Sequence, residues 1–85
     1  MKIKAITIEG HKGDVQIHAN DEGAFVIHGL LCIAAFDRRE PGEARYPKAL
    51  EVAKAVFGTD RQGRANATNS MVHEVIDAIE RVAGC

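Results

Sequence analysis

The feature that most constrains this chain is a change of hydrophobic period half-way along it. Up to about Phe36 its clearest stretches alternate apolar and polar residues, whereas from Pro47 onward apolar residues recur every three or four positions. Side chains alternate sides along a strand and turn by about 100° per residue along a helix, so the first pattern marks half-buried strands and the second amphipathic helices. Strands come first and helices last. The expected fold is therefore α+β: an antiparallel sheet of three or four N-terminal strands, followed by two helices packed on one face.

Alternation is cleanest in Val15-Gln16-Ile17-His18-Ala19, and Ala24-Phe25-Val26-Ile27-His28 follows after a turn sequence, Asn20-Asp21-Glu22-Gly23. A three-residue loop, Asp21-Glu22-Gly23, is a type I turn closed by a left-handed residue, which glycine accepts without strain. That loop sets Ala19 opposite Phe25, Ile17 opposite Ile27 and Gln16 opposite His28. Val15, Ile17, Ala19, Phe25 and Ile27 then form the core face, and Gln16, His18, Val26 and His28 the outer one. A two-residue loop sets His18 opposite Phe25 and mixes the faces, so this reading excludes it. Upstream, Lys2 to Glu9 reads as a strand with Ile6 and Ile8 on one side, and Gly10 to Asp14 as a loop. Gly29 to Phe36 is a continuous apolar run, read as strand, in which Gly29 marks a bend or tight turn. Either the third strand is long and bent, or a fourth runs from Leu31 to Phe36.

In the second half, Asp37 to Gly42 is a charged loop and Pro47 suits the first turn of a helix. Leu50, Ala53, Val56 and Phe57 form its apolar stripe, and Gly58 is its stop. A polar connector, Thr59 to Thr68, leads to a last helix from about Asn69 to Ala83. That helix buries Met71, Val72, Val75, Ile76, Ile79 and Val82, is closed by Gly84, and carries Asp77 and Arg81 at ion-pair spacing. The 85 residues make a single domain, 1–85, which area scaling expects to bury about 63% of the unfolded chain's surface.

Several function classes receive no support. Eleven Lys and Arg against twelve Asp and Glu give a net charge of -1, which does not mark a nucleic-acid binder. No apolar stretch approaches the roughly 18 residues of a membrane span, and the start Met1-Lys2-Ile3-Lys4 runs into alternation, not into a signal-peptide core. Of the two cysteines, Cys32 sits in an apolar run and Cys85 ends the chain; neither is in a C-x-x-C pair, so the expectation is a reducing cytoplasm, a buried Cys32 and an exposed tail thiol. His18 and His28 share the outer face in the expected register, with His11 or Asp14 as a third ligand, but their spacings match no metal pattern. Gly10 and Gly13 bracket His11-Lys12, but they lead into a strand and offer no helix N-terminus to a phosphate. Neither a catalytic constellation nor a cofactor is expected.

Two surfaces remain. Arg38, Arg39, Arg45 and Lys48, joined by Arg61 and Arg64, form a basic group that could contact nucleic acid or an acidic partner, although Asp37, Glu40 and Glu43 interrupt it and solvated loop charge is the simpler reading. The other surface is apolar. Val26, Leu30, Ala34 and Phe36 fall on the parity opposite to Phe25 and Ile27, so the sheet face without helices also carries apolar residues, as contact surfaces do. The expected function is a small non-enzymatic protein-binding module that self-associates as a homodimer, with Val26, His28, Leu30 and His18 at its interface. Size and lack of motifs, by analogy, suggest a phage or mobile-element inhibitor or regulator of a larger host machine. The alternatives are a nucleic-acid-associated regulatory protein using the loop arginines, and a small enzyme or metal site around His18 and His28.

Overall fold

A computed structural model describes residues 4–84 and places four strands before two helices. The strands are β1 (Ala5–Ile8), β2 (Val15–Ala19), β3 (Gly23–His28) and β4 (Leu31–Asp37). A short 3-10 turn, Gly42–Ala44, leads into α1 (Arg45–Phe57), and α2 (Asn69–Ala83) follows the connector. The strands pair antiparallel in chain order, which leaves β1 and β4 as edges. Lys2 and Ile3 of the expected first strand, and the tail thiol Cys85, lie outside the described residues.

The long apolar run resolves into the end of β3, a tight turn and a separate β4. His28 pairs with Leu31, so the turn is Gly29-Leu30, and Gly29 adopts φ +65°. A glycine with positive φ at the first position of a two-residue loop matches the right-handed twist of the strands it joins. Farther along, a bulge opposite Val26 and Ile27 leaves Ile33 as the extra residue of β4.

The β2–β3 register differs by one residue from the expected one. Ala19 pairs with Ala24, Ile17 with Val26 and His18 with Phe25, the arrangement excluded above. Asn20 decides this. Its side-chain oxygen accepts the backbone N–H of Glu22 at 3.0 Å and of Gly23 at 2.7 Å, and its own N–H donates to the Gly23 carbonyl at 3.1 Å. The loop thereby closes around Asp21-Glu22 alone. Gly23 is not among the positive-φ glycines; it is a buried strand residue whose added Cβ would stand 2.2 Å from the Phe36 carbonyl oxygen. Close backbone approach, not a left-handed conformation, requires glycine there.

A one-residue slip exchanges the faces of β3 and leaves those of β2 unchanged. Val15 and Ile17 are buried as expected, but their neighbours on the core face are Ala24 and Val26, with Ala34 and Phe36 from β4. Both helices cover this face. α1 buries Ala49, Val52, Ala53 and Val56, so its buried stripe is turned from the expected one, with Leu50 and Phe57 half-buried. α2 buries Val72, Val75, Ile79, Val82 and Ala83, with Met71 and Ile76 half-buried. Thr68 caps α2 by accepting the Met71 N–H at 3.3 Å, and Gly84 ends it with φ 81°. Among the described residues Asp77 and Arg81 form no ion pair; the cross-helix link is Arg45 to Glu80 at 2.9 Å. The result is a two-layer slab with Cα extents of 38 × 26 × 19 Å, one of whose faces is bare sheet.

Candidate functional site

On the bare face, side chains stand in two rows that cross all four strands. One row runs Ala5, His18, Phe25, Ala35, and the next Thr7, Gln16, Ile27, Cys32, following the pairings of the three ladders. Phe25 and Ile27 are half-buried by their neighbours and stand outside the core cluster. The His18 ring lies flat on Phe25, with centroids 5.2 Å apart and planes 12° from parallel. It also meets the Gln16 side chain, Nε2 to Oε1 at 2.9 Å, and this pins the ring in place. Cys32 is exposed, not interior, because the bulge at Ile33 turns it to the side of Ile27. At the adjoining end of the sheet, Leu30 is fully exposed and Leu31 is 70% exposed. Large apolar side chains left in water at a hairpin tip do nothing for the core.

Of the four interface residues read from the sequence, the structure brings His18 to the bare face and Leu30 to its end. Val26 is corrected to the core, where it has no exposed surface, and His28 to the helix side of the sheet. His18 and His28 therefore lie on opposite faces and cannot share a ligand. Among the described residues no group of three metal-ligating side chains converges. Phe25, Ile27 and Cys32, which the sequence reading placed inside, are the residues it missed. For Phe25 and Ile27 the identifying signal is Asn20, whose side chain sets the register.

The basic group divides in two. Arg38, Arg39 and Arg45 gather where β4 runs into α1, and all are engaged. Arg38 donates to the Ala83 carbonyl at the end of α2 and to the Asp21 carbonyl in the β2–β3 turn. Arg45 bonds Glu80 and, at 3.3 Å, the Arg38 carbonyl. Arg39 holds the Asp37 carboxylate through two nitrogens, and this side-chain hydrogen bond, reinforced by the Arg39 backbone N–H, brings the Asp37 pKa down to about 2. Lys48 likewise grips Glu40 at 2.6 and 2.8 Å and lowers its pKa. Arg64 lies beside Lys54, nine residues along α1 from Arg45 and so about 13 Å away in helix rise. It pairs with Asp60, whose carboxylate also accepts the Gln62 and Arg64 backbone N–H groups and is held below its usual pKa mainly by the latter. Arg61 is exposed in the connector.

Two clefts flank α1. The larger, about 600 Å³, lies between α1 and the connector, where Leu50, Ala65 and Ala67 provide apolar lining. Its charges are internally paired, Glu51 with Lys54 and Asp60 with Arg64. The smaller, about 200 Å³, lies at the far end of α1 beside the β1–β2 loop. No family model, curated protein or solved structure matches this chain.

Proposed function

We propose that the chain is a protein-binding module whose contact surface is the bare sheet face centred on Phe25 and Ile27. The observation that carries this reading is the pinned His18–Phe25 stack in the middle of that face, continued by fully exposed Leu30 at the hairpin tip. Rigid aromatic groups lose little conformational freedom on binding and are the side chains that anchor interfaces. Two rows across four strands at about 4.8 Å spacing give a patch of roughly 250–300 Å² in projection. A standard interface buries about 800 Å² per partner. The patch is thus the apolar centre of a contact whose remainder comes from Leu30 and the polar rim.

The simplest cover for such a face is a second copy, joined through a twofold axis that sets Phe25 near its own mate. A larger host assembly, inhibited or regulated by occupation of one of its surfaces, is the physiological partner this reading favours. An exposed thiol at Cys32 suits a reducing cytoplasm, and no helix among the described residues is long and apolar enough to cross a membrane.

Sedimentation at micromolar concentration, paired with affinity capture from the native host, tests the reading. Wild type is expected to self-associate and to retain a host protein, and folded Phe25→Asp to do neither. Identical behaviour of both proteins in both assays overturns it.

A further inference from the structure

The small cleft at the end of α1 collects basic side chains from three separate elements. His11 and Lys12 come from the β1–β2 loop, His28 from the end of β3 and Lys54 from the last turn of α1, with Thr59 completing the wall. Among the described residues no carboxylate lines it. The clustered arginines are engaged by carboxylates or carbonyls, and Lys48 by Glu40, whereas among the described residues the His11, Lys12 and His28 side chains take part in no hydrogen bond or ion pair. Lys54 is the one member with a partner, Glu51 at 3.1 Å, which faces the larger cleft. We propose that this cleft binds a compact oxyanion of the phosphate class.

Two physical objections bear on this. First, the C-terminal end of a helix carries partial negative charge and ordinarily repels an anion. Here two of the last four carbonyls are already occupied: that of Lys54 accepts the Gly58 N–H at 3.0 Å and that of Ala55 the His11 N–H at 3.2 Å. Second, the loop must be held for its side chains to converge. The His11 backbone bond supplies one tether. The His11 ring supplies another, since it lies so close over Gly58 that a Cβ there would stand 3.1 Å from it. The volume of about 200 Å³ equals that of six or seven waters at ~30 Å³ each, enough for a tetrahedral oxyanion with part of its hydration. Charge-assisted hydrogen bonds from lysine and imidazole N–H groups, with the Thr59 hydroxyl, match the acceptors such an ion presents. The loop between Gly10 and Gly13 thus serves an anion through the His11 and Lys12 side chains, without the helix N-terminus that phosphate loops use.

Titration of isotope-labelled protein with inorganic phosphate, at constant ionic strength maintained with chloride, is the test. Saturable shifts of the His11, Lys12, His28 and Thr59 amides are expected, with chloride alone giving none. Lys12→Met, at an exposed position that leaves the fold intact, and His28→Gln should each weaken binding about tenfold. Arg61→Gln in the connector should leave it unchanged. A parallel titration with phosphoserine separates the sources of the anion: tighter binding than phosphate assigns the cleft to a phosphorylated side chain, and equal or weaker binding to the free ion. Shifts that do not saturate, or that survive both Lys12→Met and His28→Gln, overturn the proposal.

Discussion

The two faces of this sheet are built from alternate residues of the same strands, yet they have opposite compositions. In β2 and β3 the covered face uses small and branched residues, Ala24, Val26, Val15 and Ile17, which are buried against valines and alanines of the helices beside Phe36 of β4. The bare face carries the larger Phe25 and the imidazole of His18, stacked and hydrogen-bonded on the surface. Ranking residues by hydrophobicity alone assigns Phe25 to the core. The comparison teaches that the turn that sets the register outweighs the transfer free energy of one large side chain.

The sharpest way to break the comparison is to place the same charge on neighbouring residues of β3. Val26→Asp buries an unpaired carboxylate in a fully enclosed position and should unfold the protein, at a cost of several kcal/mol. Phe25→Asp should stay folded, with urea midpoints showing a loss of about 1 kcal/mol or less. Equal loss at both positions would mean that the bare face belongs to the core.

Within the core, Ile79→Ala should cost about 2–4 kcal/mol by the usual large-to-small rule, measured by chemical denaturation. Gly23→Val should cost at least about 2 kcal/mol, because its Cβ meets the Phe36 carbonyl and not because of φ. A mutant as stable as wild type would mean that Gly23 does not stand against the Phe36 carbonyl.

Glu80→Ala comes next. Its partner Arg45 has a side chain only 14% exposed. Truncation should cost about 1 kcal/mol, since it leaves a guanidinium that is largely shielded from water without its carboxylate. Asp77→Ala, on the solvent side of the same helix, should change stability by less than about 0.5 kcal/mol.

On the bare face, Cys32 in a Cys85→Ser background should react with a thiol reagent without unfolding, and more slowly at concentrations where the faces pair. Protection at every dilution would show that the face is covered within one chain.

The smallest expected effect is electrostatic. The Asp37 pKa, lowered to about 2 by Arg39, makes this carboxylate's contribution complete above its unfolded value near 4 and lost as pH falls toward 2. Glu40, lowered by Lys48, acts in the same direction. Asp37→Asn should therefore lower stability slightly at neutral pH and converge with wild type as pH falls to 2, flattening the acid limb of the stability curve between pH 4 and 2, as thermal melts from neutral pH down through that range can verify.

Much of the architecture was legible because periodicity survives any register. Val15 and Ile17 point inward whether β2 meets Phe25 or Val26 across the ladder, and the apolar positions of α2 repeat over four turns with a glycine at the end. The bare face was legible as a fact but not in its residues. Hydrophobic parity says that both sides of β3 are apolar; it does not say which side the helices take. Asn20 carried that information, in a side-chain hydrogen bond that competes with the backbone closure a simple loop count assumes. The arginines were visible as a cluster, but the partners of Arg38 and Arg45, namely Ala83, Asp21 and Glu80, lie far along the chain, so only folding could reveal that these two brace the junction between β4, α1 and α2.

The order of strands before helices, the antiparallel ladder and the inward stripe of α2 follow from this sequence by itself, since each rests on a repeat shorter than one element. Which side of β3 faces water, where the bulge releases Cys32, and how His11, Lys12, His28 and Lys54 come to share one cleft were decided by the tertiary structure. These depend on contacts between residues remote in sequence, and a one-residue shift at a single turn is enough to exchange every side chain of a strand between core and surface.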